Sequence, residues 1–339
     1  MREPQPQIQE KMQENLTTRN KLPKPFFVLA PMDDVTDTVF RQIVADCAPP
    51  DLFFTEFVNV DGLQSPGRKA LLKKLQFTPK EQPLIAQIWG KNPENYFKTA
   101  QELIDMGFAG IDINMGCPIK DIVNNGCCCA LINNRPLAVE IIKATQAGAN
   151  GKLPVSVKTR LGFNEIDLSW HKLLLEQGLD YLTIHGRTRR QMSKDENNWQ
   201  AIEDIRKMRD KIAPATLIIG NGDVASRQQG LELAKKHNLD GIMIGRGIFN
   251  DPFVFAQESP WPNYSKTQKL ALFKKHIELF TATWGSERPT NQLNKFCKVY
   301  INSFDGAKEL REKMMATKST TDLVQMVGMP GLEPGTNRL

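Results

Sequence analysis

Eight short apolar runs recur along the first three quarters of the chain: FFVLA (26–30), LFFTEF (52–57), PLIAQIW (83–89), GIDIN (110–114), PVSVKTR (154–160), YLTIHG (181–186), TLIIGNG (216–222) and GIMIGRG (241–247). Each has strand length and the near-continuous apolar texture of strands covered on both faces. Between them lie stretches with apolar residues every three or four positions, the helical period, as at 95–106, 136–147, 168–177, 199–211 and 227–237. Alternation of buried strand and amphipathic helix predicts parallel β/α units. Eight such units predict a closed (β/α)8 barrel of the TIM type, an α/β fold, over residues 25–257. A doubly wound open sheet is the alternative, but no Gly-rich dinucleotide turn follows the first strand.

From Glu258 onward the pattern is helical throughout. Leu270, Phe273, Ile277 and Phe280 form one stripe, and Leu293, Phe296, Tyr300 and Phe304 a second, so 258–327 predicts a small C-terminal helical domain. Residues 1–24 are polar and aperiodic and predict a disordered arm. Residues 328–339, GMPGLEPGTNRL, predict a flexible tail.

Composition adds compartment and partner. A hydrophobic fraction of 40% is enough for a barrel core. No apolar run approaches the ~20 residues of a membrane span. The polar N-terminal segment is no signal peptide, so a cytoplasmic protein is expected, a monomer by default. Cysteines 47, 117, 127, 128, 129 and 297 follow no secreted disulfide spacing. Adjacent side chains diverge, so Cys127, Cys128 and Cys129 are expected to act as small apolar fillers, and no metal site is expected. The net charge of +6 is unevenly spread: residues 26–257 carry 27 Lys and Arg against 27 Asp and Glu, whereas 258–327 carry 11 against 7. A neutral barrel with a basic appendage suits a polyanionic partner.

The chemistry is written at the strand ends, where barrel enzymes assemble their sites. Pro31, Met32 and Asp33 follow the first predicted strand, Glu56 ends the second, Gln87 the third, and Asn114, with Cys117 close behind, the fourth. Lys158 and Arg160 end the fifth, His185 and Arg187 the sixth, Asn221-Gly222-Asp223 the seventh, and Gly245-Arg246-Gly247 the eighth. The last two loops have the glycines that let backbone N–H groups approach phosphate, with Arg246 to add charge. They also read as plain tight turns. Lys158 in an apolar strand calls for an anionic partner such as a reduced flavin, and Gln87 offers the donor and acceptor that a flavin's pyrimidine edge requires. His185 suits a cofactor contact or a satisfied structural position. Cys117, between Gly116 and Pro118, is fixed in direction, and a thiol near the ordinary ~8.5 stays protonated and can serve as a general acid.

These stretches together resemble the tRNA-dihydrouridine synthase family. The matching segments are VLAPMDDVTDTVFR, AQIWG, INMGCPIKDIVNNG, VSVKTRLG, TIHGRTRRQ, GNGDV and GIMIGRG, in order over about residues 26–250, followed by NKFCKVYINSFDGAKELREKM in the helical part. The resemblance implies an FMN enzyme, reduced by NADPH or NADH, that reduces a tRNA uracil to 5,6-dihydrouridine. Hydride goes to C6 and a proton from Cys117 to C5. It implies FMN contacts at Pro31, Met32, Asp33, Gln87, Lys158, Asn221, Gly222, Asp223, Gly245 and Arg246, with Asn114 and His185 at the flavin or the uracil. Lys266, Lys269, Lys274, Lys275, Lys295, Lys298, Lys308 and Arg311 are candidates for tRNA phosphates. The chain departs from the family at Cys127-Cys128-Cys129, where small residues such as Gly and Ala are usual. Competing readings are an FMN oxidoreductase of small molecules similar to dihydroorotate dehydrogenase, a tRNA-binding module without catalysis, and a flavin-free lyase with Lys158 as Schiff-base nucleophile.

Overall fold

The computed structural model describes residues 22–285 and 287–328. Most of the expected N-terminal arm and nearly all of the expected tail therefore lie outside the described residues. The strands, in chain order, are β1 (Phe26–Leu29), β2 (Phe53–Phe54), β3 (Val58–Asn59), β4 (Leu84–Trp89), β5 (Gly110–Met115), β6 (Val155–Arg160), β7 (Tyr181–His185), β8 (Leu217–Asn221) and β9 (Gly241–Ile244). Every pairing among them is parallel, in the order β1-β9-β8-β7-β6-β5-β4-β2, with β3 also on β4. A parallel bridge between Val28 and Leu52 joins β1 to the approach of β2 and closes the ring. The result is an eight-stave (β/α)8 barrel, because β2 and β3 are two pieces of one stave.

That stave is interrupted where the sequence suggests one continuous run, LFFTEF. Thr55 N–H still donates to Ile85 at 3.0 Å, but the next β4 amide, Gln87 N–H, is taken by the Thr55 hydroxyl at 3.0 Å. The hydroxyl replaces a backbone carbonyl, and regular pairing resumes only at Val58.

Two apolar clusters separate the barrel's faces. Phe26, Val28, Ala30, Leu52, Phe54, Ile85, Tyr181, Ile219 and Met243 fill the inside, while the alternate strand residues pack outward against the helices. Strand alternation then fixes which side chains share the inner face. Helices follow the strands as the periodicity predicts, for example Pro93–Asp105, Arg135–Ala149, Trp199–Ile212 and Arg227–His237, with Asn92, Asn134, Asn198 and Ser226 accepting N-terminal amides as caps.

Beyond the barrel come helices Lys266–Trp284, Asn294–Tyr300, Ala307–Ala316 and Thr320–Gly328. The first apolar stripe lies in one helix, and Leu270, Phe273, Ile277 and Phe280 are all buried. The second stripe does not: Leu293 precedes its helix, Tyr300 ends it, and Phe304 lies beyond a left-handed Ser303. Phe304 instead receives the Lys266 ammonium over its ring, 5.3 Å from the centroid. Among the described residues no helix is long and apolar enough to cross a membrane.

Candidate active site

Ile85, Tyr181, Ile219 and Met243 face inward, so by alternation Gln87, Thr183, His185 and Asn221 do as well. The register extends this ring: Gln87 pairs with Asp112, Asp112 with Ser156, Asn114 with Lys158, and His185 with Asn221. Gln87, Asn114, Lys158, His185 and Asn221 thus meet at the carboxyl-end mouth, above a buried polar step of Asp112, Ser156 and Thr183.

A directed hydrogen-bond run climbs from that step to the cysteine. Ser156 Oγ donates to Asp112 Oδ1 at 2.6 Å, and Gln87 Nε2 donates to Asp112 Oδ2 at 2.7 Å. Asn114 Nδ2 donates to Gln87 Oε1 at 3.1 Å. Asn114 Oδ1 accepts the amides of Gly116 and Cys117, each at 3.0 Å. Because backbone amides only donate, the run fixes the flip of both amide side chains. Gln87 keeps one N–H and one oxygen lone pair for a ligand. Burial pushes the Asp112 carboxyl up to about 6, against the pull of Ser156, Gln87 and Lys158.

The Cys117 loop is held from a second side by Arg160. Its Nε donates to Gly116 O at 2.8 Å, and its Nη1 to Thr188 O at 3.2 Å and Met192 O at 2.7 Å. One buried guanidinium therefore ties the loop after β5 to the loop after β7. Cys117 is half-buried, and its thiol is brought down from 9.0 to about 7, chiefly by a hydrogen bond from Cys128, with help from Ile119 N–H and Arg160. This corrects the expectation of an ordinary thiol. It also corrects the view of Cys128 as mere filler: buried, in a left-handed conformation at φ 54°, it donates to Cys117 and is itself pushed up.

Around the rest of the mouth the charges are positive. Lys158 is lowered to about 8 by burial and by Arg160. His185 is driven to about 2 by burial and by Lys158, Arg160 and Arg187, so it is a neutral imidazole. Arg187 Nη1 lies 3.4 Å from its Nε2, and arginine only donates, which places the ring proton on Nδ1.

Arg246, expected to add charge for a phosphate, is bound to Asp223, which also binds Arg187, and Arg187 first holds the Asp223 carboxyl down to about 2. The trio keeps a net positive charge beside Gly222 and Gly245. Gly222 has φ 142°, and a Cβ there would lie 2.0 Å from Asn197 Oδ1, whereas a Cβ on Gly245 meets nothing nearer than Ala30 at 3.5 Å. Met32 borders the inner cluster, and the Asp33 carboxylate next to it is bound to Lys74.

Several phosphate candidates are already engaged. Lys269 is buried on Trp261 and Asn302, Lys275 pairs with Asp46 at 2.8 Å, Lys295 donates to Asp34 O, and Arg311 donates to Ile301 O at 2.6 Å. Lys298 and Lys308 are exposed.

The family model for dihydrouridine synthase matches residues 28–329, barrel and C-terminal helices alike. The chain belongs to the dihydrouridine synthase family. It is 46% identical over 307 residues to the probable tRNA-dihydrouridine synthase 2 of Bacillus subtilis (strain 168), covering 89% of this chain and 93% of that protein. It is 47% identical over 315 residues to a probable tRNA-dihydrouridine synthase of Staphylococcus aureus (strain COL), covering 92% and 94%. Among solved structures, morphinone reductase matches 70% of this chain and 86% of its own at a TM-score of 0.50 and 12% identity, a likeness of barrel fold alone. Sequence reasoning placed Arg160 at a strand end and gave no part in the site to Asp112, Ser156 or Cys128; the polar beat of GIDIN on the same face as Gln87 was the available signal for the first.

Proposed function

We propose that this protein is an FMN-dependent tRNA-dihydrouridine synthase that draws its electrons from NAD(P)H. The observation that carries the reading is the directed run from Asp112 through Gln87 and Asn114 to the Cys117 backbone. It sets a thiol at the barrel mouth and leaves an amide edge beside it.

The residues present suit FMN. A Cβ on Gly245 would reach Ala30 and Met32 only at ordinary contact distance, so its backbone is uncrowded, and the cationic Arg187–Asp223–Arg246 trio with Gly222 suits the phosphate. Gln87 has one donor and one acceptor left for the ring's pyrimidine edge, Lys158 supplies a cation, and Pro31, Met32, Asp33, Asn221 and neutral His185 complete the lining. Bound there, FMN supplies the hydride that adds to C6 of uracil.

The protein's own groups do the rest. Cys117 carries the proton destined for C5, and a thiol near 7 is matched to a general acid working at neutral pH. Asn114 and Arg160 hold the loop that aims it. Lys158 offsets the negative charge that builds in the mouth. A flat, unpaired uracil enters as a base drawn out of a folded RNA. Beside the mouth a cavity of about 440 Å³, lined by Thr188, Gln191, Arg190 and Lys194 and also by Glu165 and Asp195, offers mixed polar contacts to the flanking nucleotides. Residues 258–327, with exposed Lys298 and Lys308, serve as the tRNA grip, and residues 25–257 as the catalytic unit, in the cytoplasm.

The test is mass spectrometry of tRNA from a dihydrouridine-deficient host expressing the chain or its Cys117→Ala variant. Gain of two hydrogens at a D-loop uridine, lost or severely slowed in the variant, is expected. Unmodified tRNA alongside FMN-loaded wild-type protein would sink the assignment.

A further inference from the structure

The loop after β1, from Pro31 to Asp37, is one wall of the proposed flavin site, and it is fastened by residues of two C-terminal helices, Lys266–Trp284 and Asn294–Tyr300, and of the connection between them. Asp37 caps helix Thr38–Cys47 with Oδ1, which accepts Phe40 N–H at 2.9 Å. Its Oδ2 accepts Trp284 Nε1 at 3.0 Å and Arg288 Nη1 at 3.2 Å. Arg288 lies flat on the Trp284 ring, 4.0 Å from the centroid, so its guanidinium is aimed and not wandering. Its Nη2 stands 3.6 Å from Glu56 Oε2. Lys295 donates to the carbonyl of Asp34 in the same loop.

Glu56 is the hub of this fastening. It stands at the top of the interrupted β2–β3 stave and is wholly buried. Oε1 accepts Asp34 N–H at 2.8 Å, holding that residue in its left-handed conformation at φ 56°. Oε2 is buried without a hydrogen-bond partner. Burial pushes the carboxyl up, and Lys74 and Arg288 pull it back toward the ionised form. Two cations share the carboxylate, one per oxygen: Lys74, also bound to Asp33, stands 3.6 Å from Oε1, and Arg288 is the one that answers Oε2. An ionised carboxylate stripped of that cation would repel its neighbour Asp37 or take up a proton; in both cases its grip on Asp34 N–H weakens.

We propose that Arg288 is a positioning residue of the reaction: by answering Glu56 and Asp37 together, it lets the C-terminal helices hold the Pro31–Asp37 loop in the shape that receives FMN. This rests on the flavin reading above. It makes the helical segment part of the active site's construction as well as a grip on RNA. Arg288 need touch neither cofactor nor uracil.

The experiment compares wild type, Arg288→Met, Arg288→Lys, Glu56→Gln and the Arg288→Met/Glu56→Gln pair. Methionine keeps the apolar contact with Trp284 and removes the charge. FMN affinity of the cofactor-stripped protein is read by quenching of flavin fluorescence, and kcat and KM for tRNA are read on the reconstituted enzyme. Arg288→Met is expected to weaken FMN at least tenfold and lower kcat at least tenfold, with KM for tRNA within twofold. Arg288→Lys is expected to recover most of both.

Once Glu56 is neutral, Arg288 has less to answer. Adding Arg288→Met to Glu56→Gln is expected to cost no more than threefold in FMN affinity. Three results would overturn the proposal: unchanged FMN affinity in Arg288→Met, a loss confined to KM for tRNA, or a full tenfold further loss in the pair. If Arg288→Met alone fails to fold, the comparison of Glu56→Gln with the pair decides. A chain whose FMN affinity follows this pattern but which forms no dihydrouridine leaves the clamp standing and sinks the assigned activity; a chain that binds no FMN sinks both.

Discussion

Replacing Cys128 with glycine should move the acid of the reaction without dismantling its site. Cys117 is lowered from 9.0 to about 7, and the first cause is the hydrogen bond from Cys128. That displacement is worth roughly a hundredfold in thiolate fraction at fixed pH. Without the donor, burial, which opposes it, gains the upper hand and the thiol rises. The backbone tolerates the change: φ 54° at Cys128 is strained by ~1–2 kcal/mol for a side-chain-bearing residue and free for glycine. Glycine's larger unfolded-state entropy offsets ~0.5–1 kcal/mol of that relief.

The sign follows from the role. A general acid must hold its proton, so the wild-type rate is full below the Cys117 pKa and falls as pH rises through about 7. In Cys128→Gly the falling limb moves to higher pH by at least about one unit, and the variant outpaces wild type on the alkaline side. Iodoacetamide labelling against pH, resolved by peptide mapping, reads the thiol directly. Interference is small, because burial pushes Cys47 and Cys129 up to about 12 and Cys297 to about 11. An unmoved labelling midpoint would refute the hydrogen-bond argument. A labelling midpoint that moves while the rate limb stays put would remove Cys117 as the acid.

Three further outcomes are expected. Gly222→Ala forces a methyl to within 2.0 Å of Asn197 Oδ1 at φ 142°, so FMN affinity should fall at least tenfold, and retention of wild-type affinity by equilibrium dialysis would discard Gly222 from the phosphate loop. Lys158 is depressed to about 8, and an anion binds its protonated form, so affinity for reduced FMN should be steady below that pH and fall as pH rises through it; Lys158→Met should flatten the profile, and a pH-independent wild type would contradict the cation's role. Arg41→Met strands the wholly buried Glu81 carboxylate, which Arg41 Nε meets at 2.7 Å, and frees the carbonyls of Thr36 and Gln76; urea unfolding should report a loss of about 3–5 kcal/mol, and a loss under 1 kcal/mol would show that Glu81 finds another partner or a proton.

How far the sequence spoke for itself varied with the range of the interaction. Local periodicity was sufficient for the barrel: the predicted helix at 227–237 forms as Arg227–His237, and GIDIN extends by a single residue to Met115. It misled at 293–304, where even spacing concealed a helix that ends at Tyr300 and a left-handed turn at Ser303, whose identity gives no turn signal as strong as glycine's. The mouth residues were legible because strand ends in a barrel converge. Their couplings were not. Gln87 and Asp112 lie 25 positions apart, and only the register of β4 on β5 brings them opposite. Cys128 is legible only as filler because a thiol's partner across a loop leaves no trace in spacing, and the Arg246–Asp223 ion pair, 23 positions apart, leaves none either.

The two polar networks at the mouth explain why a barrel of this kind carries so much buried polarity on one side. Asp112, Gln87, Asn114 and Glu56 are all less than a tenth exposed, and an apolar set of equal volume would pack there without the cost of desolvation. Hydrophobic contact is non-directional, however, and would leave the loops after β1 and β5 free to slide. Hydrogen bonds to backbone amides are directional: Asn114 fixes Gly116 and Cys117, and Glu56 fixes Asp34. Each network is also anchored in a part of the chain distant from the loop it holds, Asp112 and Ser156 deep in the barrel for one, Trp284 at the end of a C-terminal helix and Arg288 just beyond it for the other. Loosening of either anchor is therefore transmitted to a loop that faces the substrate. On this argument, stability and proton delivery should separate cleanly under mutation: outer-face residues such as Trp170 govern the former, and the inner polar residues govern the latter at little cost in folding.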